Sequence, residues 1–244
     1  FGDQEARIVE MAACVTKESI LLETTQNLLN IVNEAILKSN TGRKGPVWID
    51  IPLDIQASDI KTSAKQIKEV SKKWIQKLKI DKYSIKKSEE IKLKKLINLI
   101  NKSERPVIIA GNGVRFSGNL DLFHKFVQKN CIPVCTVWNS HDLYTNDQKN
   151  YAGRPGADGE RAGNFNMQNA DLLIILGARM HVRQIGFDEK SFARDALKVM
   201  VDMDIAELNK PNLDIDLKIH MNLSAFFKKM KEMSNRINDS NLKH

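Results

Sequence analysis

The chain has 244 residues, of which 42% are hydrophobic, enough for one large domain or up to two ordinary ones with real cores. No apolar run is long enough to span a bilayer, which argues against a membrane protein. The formal net charge of +8 comes from residues 61–95, which hold 13 Lys, no Arg and 4 acidic residues. A lysine run without arginine is typical of a solvated linker, so no nucleic-acid partner is expected.

The first elements predicted along the chain are a helix and a strand. Apolar residues recur at helical spacing over residues 25–38, and Val47–Pro52 reads as a strand that its proline ends. No partner strand is evident, so residues 1–58 are interpreted as the C-terminal part of an α/β domain. Residues 59–87 are the predicted linker, with a short helix near the middle. Because the chain opens on Phe and runs directly into ordered-looking sequence, we expect a piece of a longer protein.

The rest of the chain, residues 88–237, alternates apolar strands with amphipathic helices, and residues 238–244 form a polar, frayed tail. Near-continuous apolar runs indicate strands that are buried on both faces, as in a parallel sheet covered by helices. The predicted fold class is therefore α/β, with a doubly wound, Rossmann-like parallel sheet. The predicted strands are 106–110, 132–137, 172–176, 199–201 and 217–220, and the predicted helices begin near 88, 120, 159, 204 and 224.

Glycine turns follow two of these strands. Gly111-Asn112-Gly113 follows the first, and Gly177-Ala178-Arg179 follows the third, with Arg183 four residues further on. Such turns suit the approach of a phosphate, and two arginines can clamp a pyrophosphate; ordinary strand-to-helix turns and surface salt bridges are the alternatives. Asp202, at the next strand end, is predicted either to bind a ribose hydroxyl or to cap a turn.

The remaining polar residues give no catalytic constellation. The histidines have no metal-ligand spacing, so no metal ligands are assigned, and no nucleophile–base pair is evident. The long irregular segment 138–158 is of a length that is usually functional or disordered. The three cysteines, Cys14, Cys131 and Cys135, lie in apolar sequence and are predicted to be buried free thiols of a reducing compartment.

Four segments together resemble thiamine-diphosphate enzymes of the acetolactate synthase type. Gly45–Asp54, GPVWIDIPLD, is similar to the end of the pyrimidine-binding domain of that family, and Gln4-Glu5 with the following IV and TK pairs resembles an earlier part of it. Ala170–Arg179 and the run Val201–Glu207 are similar to the family's central domain. The resemblance covers nearly the whole chain except the linker and the tail.

In acetolactate synthases the central domain holds FAD in an extended pose and in a structural role, whereas other relatives keep the fold without a nucleotide; both readings are open here. His181 stands where the family has an aspartate that contacts the cofactor. Gln4 matches a glutamine near the substrate channel and is the one active-site candidate. The positions that match FAD-binding ones are Gly111, Asn112, Gly113, Val137, Trp138, Asn139, Gly156, Ala157, Asp158, Gly177, Ala178, Arg179, Arg183, Asp202, Met203 and Asn222.

The resemblance implies that the chain is a fragment of a thiamine-diphosphate-dependent, Mg-dependent carboligase or decarboxylase that acts on a 2-keto acid. The family's catalytic glutamate and its metal motif are expected before and after this chain, so the fragment alone is expected to be inactive. A cytoplasmic homodimer or homotetramer is implied for the parent enzyme. The alternative from another class is a non-catalytic nucleotide-binding or interaction module of the same fold.

Overall fold

The computed structural model describes residues 6–60, 62–79 and 85–233, together with residues 235 and 237. The chain divides into two compact units, Phe1–Lys82 and Tyr83–His244. The division falls inside the predicted linker, while the predicted tail 238–244 and Gln4 lie outside the described residues. The domain limits proposed from the sequence, at residues 58, 87 and 237, stay predictions.

The first unit contains a two-stranded parallel sheet. Strand β1 pairs with β2 in the register Ser19 to Trp48 through Leu21 to Asp50. The expectation that the strand near residue 48 has no partner was therefore wrong, because three residues, Ser19–Leu21, are too few to show a strand periodicity. The elements of this unit are α1 (Ile8–Ala13), β1 (Ser19–Leu21), α2 (Leu28–Asn40), β2 (Trp48–Asp50), α3 (Leu53–Gln56) and α4 (Ala64–Lys79).

Two helices of the first unit differ from their predicted lengths. Helix α2 begins at Leu28 rather than at residue 25, since Asn27 before it has a left-handed conformation with φ 61°. Helix α4 occupies 16 residues of the predicted linker, in place of a short helix. Ile67, Val70 and Trp74 repeat at helical spacing along α4, which packs against α2.

The second unit is a five-stranded sheet with helices. Its predicted strands are all present, although β4 is shorter and β6 longer than expected. The elements are α5 (Lys87–Lys102), β3 (Pro106–Ala110), α6 (Asn112–Phe116), α7 (Leu120–Asn130), β4 (Val134–Thr136), a 3-10 segment (Trp138–Leu143), α8 (Arg161–Gln168), β5 (Leu172–Leu176), α9 (Val182–Ile185), a 3-10 turn (Glu189–Ser191), β6 (Leu197–Asp202), α10 (Ile205–Leu208), β7 (Leu217–His220) and α11 (Leu223–Glu232).

The strand order of the second unit is β4-β3-β5-β6-β7, and every neighbouring pair is parallel. The chain leaves β3 for β4 on one side and then crosses back to β5 on the other side of β3. Rossmann-like parallel sheets have this doubly wound arrangement, so the predicted α/β fold class is confirmed. The carboxyl ends of β3 and β5 meet at the point where the winding direction changes.

Each face of the sheet has its own hydrophobic core. Alternate strand residues such as Ile108 and Ile174 pack with Leu93 of α5, Phe123 of α7 and Phe226 of α11. The intervening residues of the same strands pack with α8, α9 and α10 on the other face. Because β3 and β5 are buried along their whole length, their sequences are continuously apolar.

The cysteines only partly match their predicted burial. Cys135 in β4 is buried, and burial raises the pKa of its thiol to about 12. Cys14 and Cys131 are exposed, so the prediction of burial was wrong for both, because they lie at the C-terminal ends of α1 and α7. All three thiols are free. Within the described ranges, no helix is long and apolar enough to cross a membrane.

Candidate functional site

The two glycine turns pack directly against each other at the carboxyl ends of β3 and β5. The Gly111 N–H donates to the Leu176 carbonyl at 2.9 Å, and the Gly113 N–H donates to the Gly177 carbonyl at 3.0 Å. A Cβ atom at Gly111 would lie 2.3 Å from the Gly177 oxygen, and one at Gly177 would lie 2.7 Å from the Gly113 Cα. The contact between the turns therefore accounts for these glycines without a ligand.

Asn112 and Arg115 connect the first glycine turn to the 3-10 segment Trp138–Leu143. Arg115 donates from Nε to the Asn112 side-chain oxygen at 3.0 Å and makes a two-pronged pair with Asp142. The hydrogen bond from Arg115 lowers the pKa of Asp142. This contact places the segment that carries Trp138 beside the end of β3.

A pocket of about 410 Å³ lies at this edge of the sheet, between the loops that follow β4 and β5. Pockets that hold small ligands in proteins have volumes of a few hundred cubic ångströms or more, so the size suits a ligand or a large part of one. The lining combines aromatic, cationic and acidic side chains with exposed backbone. The lining residues are Trp138, His141, Arg154, Pro155, Gly156, Asp158, Gly159, Glu160, His181, Arg183 and Gln184.

The two arginines of the pocket have different partners. Arg154 donates to Glu160 from its guanidinium, with Nε at 2.9 Å from Oε1, and Tyr151 donates to the same carboxylate at 3.1 Å. The hydrogen bond from Arg154 holds the pKa of Glu160 below its usual value, against the opposing effect of burial. The charge of Arg154 is thereby neutralised within the protein.

Arg183 has no carboxylate partner among the described residues, and its guanidinium lies 6.0 Å from the centre of the Trp138 ring. The Trp138 side chain is 62% exposed, although large aromatic residues are usually buried. A cation without an anion beside an open aromatic ring is the combination that binds a phosphate attached to a flat ring system. A nucleotide therefore fits the side chains present in this pocket.

Arg179 does not line the pocket, in contrast to its predicted role in a clamp with Arg183. Its Nε donates to Glu207 at 2.6 Å, and Lys210 donates both to Glu207 and to the Arg179 carbonyl. Glu207 is buried, which by itself raises the pKa of its carboxyl, but the hydrogen bonds from Lys210 and Arg179 outweigh burial and lower it. The salt-bridge alternative thus describes the Arg179 contact.

Three further predicted residues, at the ends of β6 and β7, make local contacts and do not line the pocket. Asp202 accepts from the Asp204 N–H at 2.8 Å, as expected for a residue that caps a turn. The Met203 carbonyl lies 2.9 Å from the His220 ring, and Asn222 accepts from the Ser224 N–H as the N-cap of α11. The structure thus supports the capping alternative for Asp202.

The pocket brings together Trp138, Gly156, Asp158 and Arg183 from the predicted set, with Ala157 and Asn139 adjacent in sequence. Val137 and Ala178 are buried. The sequence reading missed His141, Arg154 and Gln184 as pocket residues, whereas His181 had been noted at the position of a family aspartate that contacts the cofactor. The length of the irregular segment 138–158 was the signal for the first two, whereas nothing in the sequence pattern marked Gln184. Within the described part of the chain, no group of His, Cys, Asp and Glu residues is arranged to hold a metal ion.

The comparisons with known proteins agree with this fold. A family model described as the central domain of thiamine pyrophosphate enzymes matches residues 93–230, more than half of the chain. The chain belongs to the thiamine pyrophosphate enzymes. The matched range begins in α5 and ends in α11, so the sheet and the pocket described above lie in the central domain.

Relatives of the chain are acetolactate synthases. It is 31% identical over 239 residues to the acetolactate synthase large subunit of Lactococcus lactis, a match that covers 98% of this chain and 40% of the relative. It is 31% identical over 217 residues to a probable acetolactate synthase large subunit of Methanococcus aeolicus, with 88% and 35% covered. It is 30% identical over 210 residues to the chloroplastic acetolactate synthase of Arabidopsis thaliana, a match that covers 85% of this chain and 29% of the relative. The chain thus spans 40% or less of each of these three relatives.

Proposed function

We propose that this chain is part of a thiamine-diphosphate-dependent enzyme of the acetolactate synthase type, and that its central domain holds a nucleotide, FAD, in a structural role. The parent enzyme decarboxylates a 2-keto acid such as pyruvate and joins the remaining acyl group to an acceptor. Residues 1–58 belong, in this proposal, to the pyrimidine-binding domain. The similarity to acetolactate synthases supports the reaction class.

The observation that carries the nucleotide proposal is Arg183. It is a cation without a carboxylate partner among the described residues, it lies beside the exposed Trp138 ring, and it lines a pocket at the winding change of a parallel sheet. Ligands of such sheets bind at this position. In the proposed complex Arg183 binds the phosphates and Trp138 contacts a flat ring, while Gly156 and Asp158 line the wall.

In this proposal thiamine diphosphate and FAD have different roles. Thiamine diphosphate, bound with Mg²⁺ by other parts of the parent enzyme, stabilises the negative charge that develops when the keto acid loses carbon dioxide. The residues of this chain orient and enclose the nucleotide, and FAD takes no part in a net redox step. Gln4 is proposed to lie near the substrate channel, and it is outside the described residues.

The proposal also includes the setting of the enzyme. A homodimer or homotetramer is proposed for the parent enzyme, with the 2-keto acid as its small-molecule partner. A cytoplasmic location is proposed because the three thiols are free, as is usual in a reducing compartment.

Two assays on the purified parent enzyme test this function. With thiamine diphosphate, Mg²⁺ and pyruvate, carbon dioxide should be released, and omission of thiamine diphosphate should abolish the release. Heat denaturation should free flavin that is detected by its fluorescence. A colourless, fully active enzyme would contradict the proposal that FAD is bound. A protein that decarboxylates no 2-keto acid would contradict the proposed reaction.

The second candidate function is a non-catalytic nucleotide-binding module of the same fold. The observation in its favour is that described residues of this chain line a pocket of about 410 Å³. It predicts bound nucleotide without any release of carbon dioxide, so the same two assays distinguish the candidates.

A further inference from the structure

We propose that Asn164, in α8, is a positioning residue that holds the turn at Gly156 against the backbone of Arg183 and so presents the Arg183 guanidinium to its ligand. The inference rests on the proposed function, because that function assigns this pocket to a nucleotide. Asn164 does not line the pocket, and it acts on the ligand through Gly156.

Asn164 bonds to both backbone polar groups of Gly156, whose carbonyl also accepts from the Gly159 N–H at 3.0 Å. Its side-chain oxygen accepts from the Gly156 N–H at 2.8 Å, and its side-chain nitrogen donates to the Gly156 carbonyl at 3.0 Å. A carboxamide that pairs with both groups of one residue replaces the partner that a neighbouring strand would supply. One half-buried side chain thereby bonds both backbone polar groups of a loop residue to α8.

Gly156 in turn contacts the backbone of Arg183. It has φ +136°, and a Cβ atom there would lie 2.8 Å from the Arg183 carbonyl oxygen. The next residue, Ala157, donates its N–H to that oxygen at 2.7 Å. A shift of the Gly156 turn therefore moves the main chain from which the Arg183 guanidinium extends.

A second amide ties the same two loops together. Gln184 is 3% exposed, and its side-chain nitrogen donates to the Pro155 carbonyl at 2.7 Å. The residues on both sides of Gly156 are thus bonded to the Arg183–Gln184 segment, while Asn164 holds Gly156 from α8. A loop fixed before the ligand arrives loses less conformational entropy on binding, which strengthens affinity.

The test compares Asn164→Ala with Asn166→Ala in the parent enzyme. Asn166 is the matched control, since it is also half-buried on α8 and donates to the carbonyl of a nearby loop residue, Ala152, at 2.9 Å, without touching Gly156. Flavin fluorescence titrations should show FAD affinity reduced at least about 10-fold in Asn164→Ala and changed less than about 2-fold in Asn166→Ala. Equal affinities in the two variants would overturn the inference.

Amide hydrogen exchange of the free protein separates this inference from the proposed function. The Gly156 and Ala157 amides should exchange faster in Asn164→Ala than in the protein without this substitution. Their exchange rates should be unchanged in Asn166→Ala. If the parent protein binds no FAD, the nucleotide proposal fails, and exchange alone decides the role of Asn164. Unchanged exchange in Asn164→Ala, or equally fast exchange in both variants, contradicts that role. Should Asn164→Ala not fold, Asn164→Ser takes its place.

Discussion

At the scale of single residues, the glycines at the strand ends are required by the protein's own packing. Gly111 has φ −103°, which any residue can adopt, so its need for a hydrogen in place of a side chain comes from the neighbouring turn. An added Cβ would lie 2.3 Å from the Gly177 oxygen and 2.5 Å from the Ala178 Cα, both backbone atoms that cannot move independently. The Gly111 turn, which resembles a phosphate-binding loop in sequence, thus packs the ends of β3 and β5 together.

We predict that Gly111→Ala lowers the free energy of unfolding by about 3 kcal/mol, because the new methyl group forces β3 and β5 apart at their ends. Gly118→Ala is the control: Gly118 has φ +65° and no heavy atom within 4 Å of an added Cβ, so its cost is the conformational one of about 1 kcal/mol. Urea denaturation of both variants measures the difference. Equal losses would show that the close contact between the turns is absent.

The Glu207 carboxylate should make stability depend on pH. Its pKa is lowered in the folded state from an ordinary value of 4.5, since Lys210 and Arg179 outweigh the effect of burial. A lowered pKa stabilises the fold above the unfolded value, and the contribution is lost as pH falls through the folded value. We predict that Glu207→Gln costs about 2 kcal/mol at pH 7 and progressively less below pH 4.5.

Urea denaturation at pH 7 and at pH 4 measures this dependence on pH. The exposed Glu189 supplies the control variant, Glu189→Gln, which should change the free energy of unfolding by less than about 0.5 kcal/mol at either pH. A difference between the parent protein and Glu207→Gln that is the same at both pH values would mean that the ionised carboxylate does not stabilise the fold.

Part of the pocket lining was among the residues named through the family resemblance, and their role as cofactor contacts stays a prediction. Trp138, Gly156, Asp158 and Arg183 were predicted through the family resemblance, and all four line the pocket. Gln184 was missed because its side chain reaches the pocket wall only after two loops distant in sequence have packed together. Periodicity cannot show such a contact, since neither loop has a regular repeat.

At the scale of elements, helices α7 and α11 are held together by aromatic rings. Phe227 of α11 is 1% exposed, and its ring centre lies 5.8 Å from that of Phe123 in α7 and 5.3 Å from that of Phe226. Tilted and edge-on ring pairs at these distances add to the energy of burial. This cluster belongs to the core on one face of the sheet.

We predict that Phe227→Ala lowers the free energy of unfolding by about 3 kcal/mol or more, because it leaves a cavity between α7 and α11. Phe187→Ala removes the same side chain from a position that is 94% exposed and should cost less than about 0.5 kcal/mol. Thermal or urea unfolding compares the two. A small effect of Phe227→Ala would place this residue outside the core.

Elements with a strong pattern were predictable, and short ones were not. Strands β3 and β5 were predicted with their exact limits because each is a run of five residues that begins at Pro106 or directly after Asp171 and ends directly before a glycine. Strand β1 has three residues and no such limits, and its existence depends on pairing with β2. Helix α4 was predicted too short because its many lysines obscured the apolar residues that repeat at helical spacing along it.

At the scale of the whole molecule, the winding of the sheet explains why residues far apart in sequence share one pocket. The loops after β4 and β5 both leave the carboxyl edge of a parallel sheet, on either side of β3. Residues 138–160 and 181–184 therefore line one pocket, although β5 and α8 separate them in the chain. The fold class and the carboxyl edge of the sheet could be predicted from the pattern of strands. The contacts between the loops could be seen only in the structure.

The most direct test of the central claim is a titration of the parent enzyme and its Arg183→Gln variant with FAD, followed by flavin fluorescence. Loss of the one pocket arginine without a carboxylate partner among the described residues should weaken binding at least about 10-fold. Arg194→Gln, which changes an exposed arginine that does not line the pocket, should bind FAD like the parent. Equal affinity in all three proteins, or no binding to the parent, would contradict a nucleotide site at this edge of the sheet.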